Sequence, residues 1–489
     1  MISIVVRSRP RTIAAAGKRE HVNDFHISAT RSSPAPAEGP GYSLRYGWYA
    51  VILLTATQVV SYIDRFLPSL LMEAIKKDLA LTDFQIGLLI GPAFGVFYVI
   101  VGLPIGWLAD RFSRRTILAT GIAIWCSMTA AAGFAKSFLP LFATRMGVGL
   151  GEAAVAPCAL SLISDHFPRT RRARAISVFM AGTFIGAGSA YLFGGPIAHE
   201  IAEIELIQVP LFGDLKPWQA TFLIVGLPGL LLSGLMFTIR EPTRKDRVAG
   251  VHEDEKGRTT LLDALRFIAP RWRAFGTLFA GSACCVTLGA LSLWNVALFG
   301  RTWNWTVRDV GITTGLLFFI CGSLGTLMGM WLTQHWIKQQ LQDATMRALL
   351  TGLIIAVTGF AIYPIVPTAQ MAVAALFVAF IGQAIATAAG PASLTMIAPG
   401  QIRSQSTAIY YFVISISGQL LGPPPVGWMT DLFGDPTMLR YAMSIEALVV
   451  GIPAMVLVTL GLASYRRQAT ELEAQLVEQQ QLREAVAHA

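Results

Sequence analysis

Charge is scarce in this sequence. Of 489 residues only 14% are Asp, Glu, Lys or Arg, against about a quarter in soluble domains. The roughly three soluble domains that length alone would suggest are therefore excluded. Cysteine is scarce as well. Cys126, Cys158, Cys284, Cys285 and Cys321 all fall in apolar runs without metal-ligand spacing, so neither a disulfide framework nor a metal site is implied. Enzyme signatures are missing: Ala135-Lys-Ser137 lacks the glycines of a phosphate-binding loop, and His199-Glu200 has no second histidine at the metalloprotease spacing. Neither a cofactor nor a nucleotide-driven pump follows. A secretory signal is also lacking, because Arg7 and Arg9 interrupt the opening Ile-Ser-Ile-Val-Val before an apolar core can form. The net charge of +9 is no nucleic-acid footprint, since the basic residues sit in short segments between apolar runs, where membrane orientation accounts for them.

Long apolar runs are abundant. Apolar residues make up 54% of the chain and the mean hydropathy is +0.56. Runs long enough to cross about 30 Å of hydrocarbon fall near 48–73, 84–109, 116–134, 138–163, 174–198 and 218–239, then 274–300, 310–334, 346–366, 370–397, 405–427 and 440–463. This pattern predicts an all-α membrane protein of twelve transmembrane helices in two six-helix halves, 47–239 and 274–463. Residues 1–46 read as a disordered tail. Residues 240–273 form a linker whose Leu261–Ile268 portion either lies on the membrane surface or is simply solvated. A Glu/Gln-rich segment, 464–489, with Leu472, Leu476 and Leu482, reads as a short helix in a second solvated tail. With the amino terminus inside, inner segments carry 29 Lys and Arg and outer loops 7, which predicts a plasma (cell inner) membrane protein with both termini cytoplasmic.

The halves resemble each other. Pro157-Cys-Ala-Leu-Ser-Leu-Ile163 aligns with Pro391-Ala-Ser-Leu-Thr-Met-Ile397, and Ala175-Ile-Ser-Val-Phe179 with Ala408-Ile-Tyr-Tyr-Phe412, at the same ordinal helices. A parallel repeat of this kind suits alternating access around a site near the midplane.

Four charges inside apolar runs belong together: Asp64 and Arg65 in helix 1, Arg145 and Glu152 in helix 4. Seven residues are about two turns, so Arg145 and Glu152 share a face roughly 10 Å apart along the axis. Counting residues from the helix ends puts Asp64 and Arg145 at similar depth. Asp64 can then pair with Arg145, leaving Arg65 and Glu152 to a ligand, a proton or each other. Intramembrane charges are functional by default, which makes Glu152 and Asp64 the protonatable pair. The alternative is a permanent Arg145–Glu152 ion pair that only ties helices 1 and 4 together. Of the other polar residues in apolar runs, Gln58, Gln383, Gln419 and Asn295 either line a cavity or make interhelical hydrogen bonds. Glu446 reads as reaching the outer interface. Gly195-Pro196 and Gly422-Pro423 are either outer hinges or plain kinks.

Between helices 2 and 3 stands Gly106-Trp-Leu-Ala-Asp-Arg-Phe-Ser-Arg-Arg115, which resembles the signature of the major facilitator superfamily. Gly106 permits close helix approach, and Asp110 can pair with a nearby arginine or face a helix amino terminus. Arg174 and the start of helix 11 near Ser404 are its counterparts. The resemblance implies a cytoplasmic gate latch of Gly106, Asp110, Arg111, Arg114, Arg115 and Arg174, although topology anchoring would equally explain Arg114 and Arg115. Ser61-Tyr-Ile-Asp-Arg-Phe66, Arg145-Met-Gly-Val-Gly-Leu-Gly-Glu-Ala153 and Leu162-Ile-Ser-Asp-His-Phe-Pro168 are similar to the spinster family of that superfamily, most strongly over 58–196. That resemblance implies a lysolipid or sphingolipid transporter, with proton dependence in some members, and a polar site at Asp64, Arg65, Arg145 and Glu152. The expectation is a monomeric alternating-access transporter in the lipid bilayer that moves a small amphipathic anion or lysolipid-like substrate with protons. The alternatives are a general organic-anion or drug transporter and a membrane-embedded lipid-modifying enzyme.

Overall fold

A computed structural model describes residues 44–202, 204, 206–209, 213–242, 261–399 and 402–488. The predicted amino-terminal tail lies almost wholly outside these residues, as does 243–260 of the predicted linker. The first half contains α1 (Leu44–Leu79), α2 (Asp83–Ile90), α3 (Pro92–Arg111), α4 (Arg114–Ala132), α5 (Phe138–Glu152), α6 (Val155–His166), α7 (Arg169–Ala202) and α8 (Pro217–Met236). After α9 (Leu261–Ile268), the second half contains α10 (Trp272–Leu291), α11 (Asn295–Trp303), α12 (Val307–Lys338), α13 (Ala344–Ile362), α14 (Ala369–Ile397), α15 (Arg403–Leu421), α16 (Pro423–Phe433) and α17 (Leu439–His488). Some of these pair end to end, so among the described residues eleven continuous or bent spans are long and apolar enough to cross a membrane. The predicted span 405–427 is met by α15 and α16, which break at Gly422.

The breaks have local causes. Gly91, with φ −114° and ψ −97°, separates α2 from α3, and Pro92 opens the new helix where its missing N–H costs nothing. Residues 292–294 tighten to a 3-10 turn between α10 and α11. Gly195-Pro196, by contrast, lies inside an uninterrupted α7. Gly195 is there because α12 comes close: a Cβ would stand 2.8 Å from the Gly311 Cα. The loop after α7 carries a small hairpin, β1 (Ile207–Val209) against β2 (Gly213–Leu215), antiparallel with Ile207 opposite Leu215. Helix α17 runs unbroken for 50 residues, and Gln468, Ala469 and Leu472 beyond its apolar stretch are buried. On α9, Leu261, Leu262 and Leu265 are exposed while Ala264 is buried.

We call the face where α1 begins proximal and the face where α1 ends distal. One apolar cluster is confined to the first half, around Val51, Trp125, Cys158 and Phe179. The larger one fills the second half and extends across to Leu67, Leu71, Ile86 and Leu89 near the distal ends of α1 and α2. The two halves thus share a core distally.

Candidate functional site

Arg145 and Glu152 owe their placement to the glycines between them. A Cβ on Gly149 would lie 2.4 Å from the Phe94 carbonyl oxygen, and one on Gly151 would lie 2.5 Å from that of Gly121. Only glycine lets α5 press backbone to backbone against α3 and α4. The charges at either end of this stretch then meet α1. Arg145 Nη1 stands 3.5 Å from Asp64 Oδ2, and Thr129 Oγ1 donates to Asp64 Oδ1 at 2.9 Å. Arg65 Nη2 donates to Glu152 Oε2 at 2.9 Å, which also accepts from Ser61 Oγ at 2.7 Å. These are two crossed pairs, and Arg145 is not paired with Glu152.

Asp64, Arg145 and Glu152 are at most 2% exposed, whereas the Arg65 side chain is 23% exposed. Hydrogen-bonding capacity is incompletely used. Among the described residues, Arg145 Nε and Nη1, Arg65 Nε, Asp64 Oδ2 and Glu152 Oε1 are buried without a hydrogen-bond partner. These atoms have capacity for further hydrogen bonds. Three rings surround Arg65: Tyr62, Phe94 and Tyr98, with centroids 4.6, 4.5 and 5.1 Å from its Cζ. The sequence reading missed them, since aromatics in an apolar run carry no periodic signal of their own.

An apolar cavity of about 370 Å³ opens between α7, α12 and α14, lined by Phe184, Phe318, Cys321, Phe380, Gln383 and Thr387 among others. Its wall reaches the charged site through rings, because the Phe318 centroid is 5.9 Å from that of Phe66, the neighbour of Arg65. The remaining candidates divide. Gln383 lines this cavity, Gln58 donates to Thr183 Oγ1 at 3.3 Å, and Asn295 Oδ1 accepts from the buried Tyr363 hydroxyl at 3.0 Å. Glu446 is 5% exposed, turned into the bundle and away from the outer interface.

At the proximal end Arg114 is 1% exposed. It donates from Nε to Glu241 Oε1 at 2.7 Å, from Nη1 to Ser161 Oγ at 2.8 Å and from Nη2 to the Pro242 carbonyl at 3.1 Å, and it is ion-paired with Asp165. Topology anchoring alone would not bury it this way. Burial pushes the Glu241 carboxyl up, but the backbone N–H of Arg115 and the Arg114 guanidinium outweigh it and hold the group below its ordinary value. Asp165 sits in the quoted stretch Leu162–Pro168, and Glu241 opens the charged linker, yet neither stood out without a view of Arg114. All these partners belong to α4, α6 and the segment after α8, so the cluster clamps the first half to itself. Arg115 Nη1 donates to the Ile239 carbonyl at 3.3 Å, and Arg174 Cζ lies 5.9 Å from the Trp48 ring. Arg111 is exposed at the end of α3, and nothing lies within 4 Å of a Cβ built on Gly106. The Asp110 and Ser404 side chains lie outside the described residues.

The distal end is joined across the halves. Arg301 of α11 grips Asp83 through Nη1 and Nη2 at 3.1 and 2.8 Å, and Glu73 through Nε at 2.9 Å. Lys76 adds a second cation at 2.7 Å from Asp83. Asp431 of α16 accepts the backbone N–H groups of Asp83 and Phe84 at 2.9 and 2.8 Å, a carboxylate from one half capping a helix of the other. Ser69 Oγ donates to the Leu293 carbonyl at 2.6 Å, and the Tyr191 hydroxyl to that of Ser292 at 3.4 Å, where the 3-10 turn frees backbone acceptors. These hydrogen bonds and ion pairs between the halves all lie toward this face. Asp83 is 2% exposed, so Arg301→Ala leaves it with Lys76 alone. The expected result is distal opening at a cost of about 2–5 kcal/mol removed from the closed state. Alkylation of a cysteine placed at the buried Leu70 should then accelerate at least about tenfold; an unchanged rate would count against a gate here.

Two six-helix halves around buried charges, with hydrogen bonds and ion pairs between them at the distal face, define a polytopic membrane transporter. The chain matches the Major Facilitator Superfamily model over residues 54–417, and it belongs to that superfamily. It is 27% identical over 463 residues to an MFS-type efflux pump of Mycolicibacterium smegmatis, covering 90% of this chain and 99% of that one. It is 25% identical over 409 residues to the sphingosine-1-phosphate transporter SPNS2 of Xenopus tropicalis, covering 79% and 74%. Among solved structures it resembles a bacterial homolog to the human lysosomal transporter Spinster, in an inward-facing and unoccupied conformation, with a TM-score of 0.72, 25% identity and coverage of 88% and 99%. It is a transporter and not an enzyme.

Proposed function

We propose that the protein is a proton-coupled secondary transporter of amphipathic anions of the lysolipid type. The observation that carries this reading is the division of labour across the cavity. The first half supplies buried arginines and carboxylates, an apolar cavity large enough for part of an acyl chain lies between α7 and the second half's α12 and α14, and Phe66 against Phe318 joins the two. Arg65, the charged group with exposed surface, would receive the anionic head, while Glu152 exchanges its ion pair for a proton. The positive-inside asymmetry makes the proximal face cytoplasmic, so a molecule closed distally is inward-facing. It works as a monomer in the plasma membrane, with both termini cytoplasmic.

The test uses purified protein in vesicles and three probes, a lysophospholipid, a sphingoid phosphate and a carboxylate drug, each with and without a pH gradient. Wild type should move the first two faster with the gradient, and Glu152→Gln should lose the gradient dependence. Retention of wild-type dependence by Glu152→Gln would refute proton coupling through this residue. The likeness to an efflux pump favours a second reading, a general organic-anion or drug transporter, which uptake of the carboxylate drug alone would support.

A further inference from the structure

We infer that Phe94, with Tyr62 and Tyr98, is a positioning element that keeps Arg65 seated in the site when Glu152 no longer carries its charge. The inference rests on the proton–anion reading of the site given above, and it concerns residues outside the charged quartet.

Among the described residues, Arg65 has Glu152 as its ion-pair partner. Its Nη2 reaches Glu152, while Nε has no hydrogen-bond partner among the described residues. Were Glu152 its only support, loss of that charge would free a long, flexible side chain to leave. The rings prevent this, because the negative faces of three aromatics attract a guanidinium whatever the state of the carboxylate. Phe94 does more than its two neighbours. Arg145 Cζ also lies over its ring, at 5.8 Å, so one side chain touches both arginines. Phe94 and Tyr98 stack on each other at 5.5 Å with 26° between their planes, which makes them a single surface.

The position of that surface is set from two directions. The Phe94 carbonyl abuts Gly149 of α5, and the next residue, Gly95, packs against the Gln419 side chain of the second half. The box is therefore built into the same short stretch that feels the contact between halves. An Arg65 held by rings rather than by Glu152 alone remains available to an anionic head group. The other polar and charged groups around the pair are Ser61, Asp64, Thr129 and Arg145, with the Cys126 thiol also near both carboxylates.

The test reads Arg65 directly, without a transported molecule. In protein carrying nitrogen-15 arginine in lipid nanodiscs, the Arg65 Hε resonance, assigned by its loss in Arg65→Lys, should be shifted upfield by the rings. It should remain so in Glu152→Gln and move toward the position of a solvated arginine in Glu152→Gln/Phe94→Leu. Tyr98→Leu provides a second probe should the Phe94 variant fail to fold, and Tyr98→Phe should retain the shift. Collapse of the shift in Glu152→Gln alone, or its survival in the double variant, overturns the inference. In vesicles, Phe94→Leu should raise KM for a lysophospholipid about tenfold, the loss of one desolvated cation–π contact, with little change in kcat. Failure of every vesicle probe to move would count against the proposed function while leaving the resonance test to decide the role of the rings.

Discussion

Arg145→Met should lower the stability of the protein by about 3–5 kcal/mol, the usual result of removing one partner of a buried ion pair. Asp64 is 1% exposed, and after the substitution it would retain only the Thr129 hydroxyl as donor. Most of the loss comes from this stranded carboxylate, so Asp64→Asn in the same chain should restore much of the melting temperature. The amide keeps an acceptor for Thr129 and carries no charge to neutralise. Thermal unfolding in detergent reads the first effect and vesicle transport the second. The double variant should fold and fail to transport, because the proposed exchange of an ion pair for substrate requires all four charges. Transport at the wild-type rate by the double variant would show that this pair serves only to tie α1 to α5.

The second large effect concerns one face of helix 2. Gly87, Gly91, Gly95, Gly102 and Gly106 recur at intervals of four or seven residues, which places them along one side. A Cβ on Gly87 would lie 2.7 Å from the Pro423 carbonyl oxygen, and one on Gly91 would lie 2.8 Å from that of Gln419; at Gly102 and Gly106 nothing lies within 4 Å. The distal part of this face is thus covered by α15 and α16, and the proximal part is bare. Leucine at Gly91 overpacks the covered part, at about 1–3 kcal/mol, and should shift the conformational balance roughly 5- to 150-fold toward distal opening. Leucine at Gly106 should leave this conformation unchanged and oppose the one in which the second half closes over the proximal end. Both variants should transport at least about tenfold more slowly. Spin labels at Lys77→Cys and Thr437→Cys, with the five native cysteines buried, should report a longer distal distance for Gly91→Leu and an unchanged or shorter one for Gly106→Leu. The same distance change in both variants would refute the two-position reading.

The spans were readable because each is a long apolar run, and the Asp64–Arg145 pairing was readable because helical rise fixes depth. Other features carry no comparable signal. Arg65 and Glu152 were left open to each other or to a ligand, since sequence gives depth but not which way two adjacent side chains point. Asp83, Arg301 and Asp431 sit at helix ends, where charge reads as topology, and their convergence depends on the halves leaning together. Phe94 looks like any aromatic in a membrane span until the arginines are seen beside it. The helix at Leu472, Leu476 and Leu482 was readable from their spacing, but its continuity with the apolar span of α17 was not, because the segment between is too polar to extend that span.

That helix also turns a small motion into a large one. Arg466 Nη2 lies 2.8 Å from Asp343 Oδ2, and Arg271 Nε donates to Gln468 at 3.1 Å. Arg347 also donates to Asp343, whose carboxyl burial would push up but whose two arginine partners hold below its ordinary value. The base of the projection is thereby fixed to the second half. Some 22 residues follow to His488, an arm of about 33 Å at helical rise. A fluorophore near its tip would sweep through a wide arc for a tilt too slight to register within the bilayer, so the chain carries its own pointer to the angle between its halves.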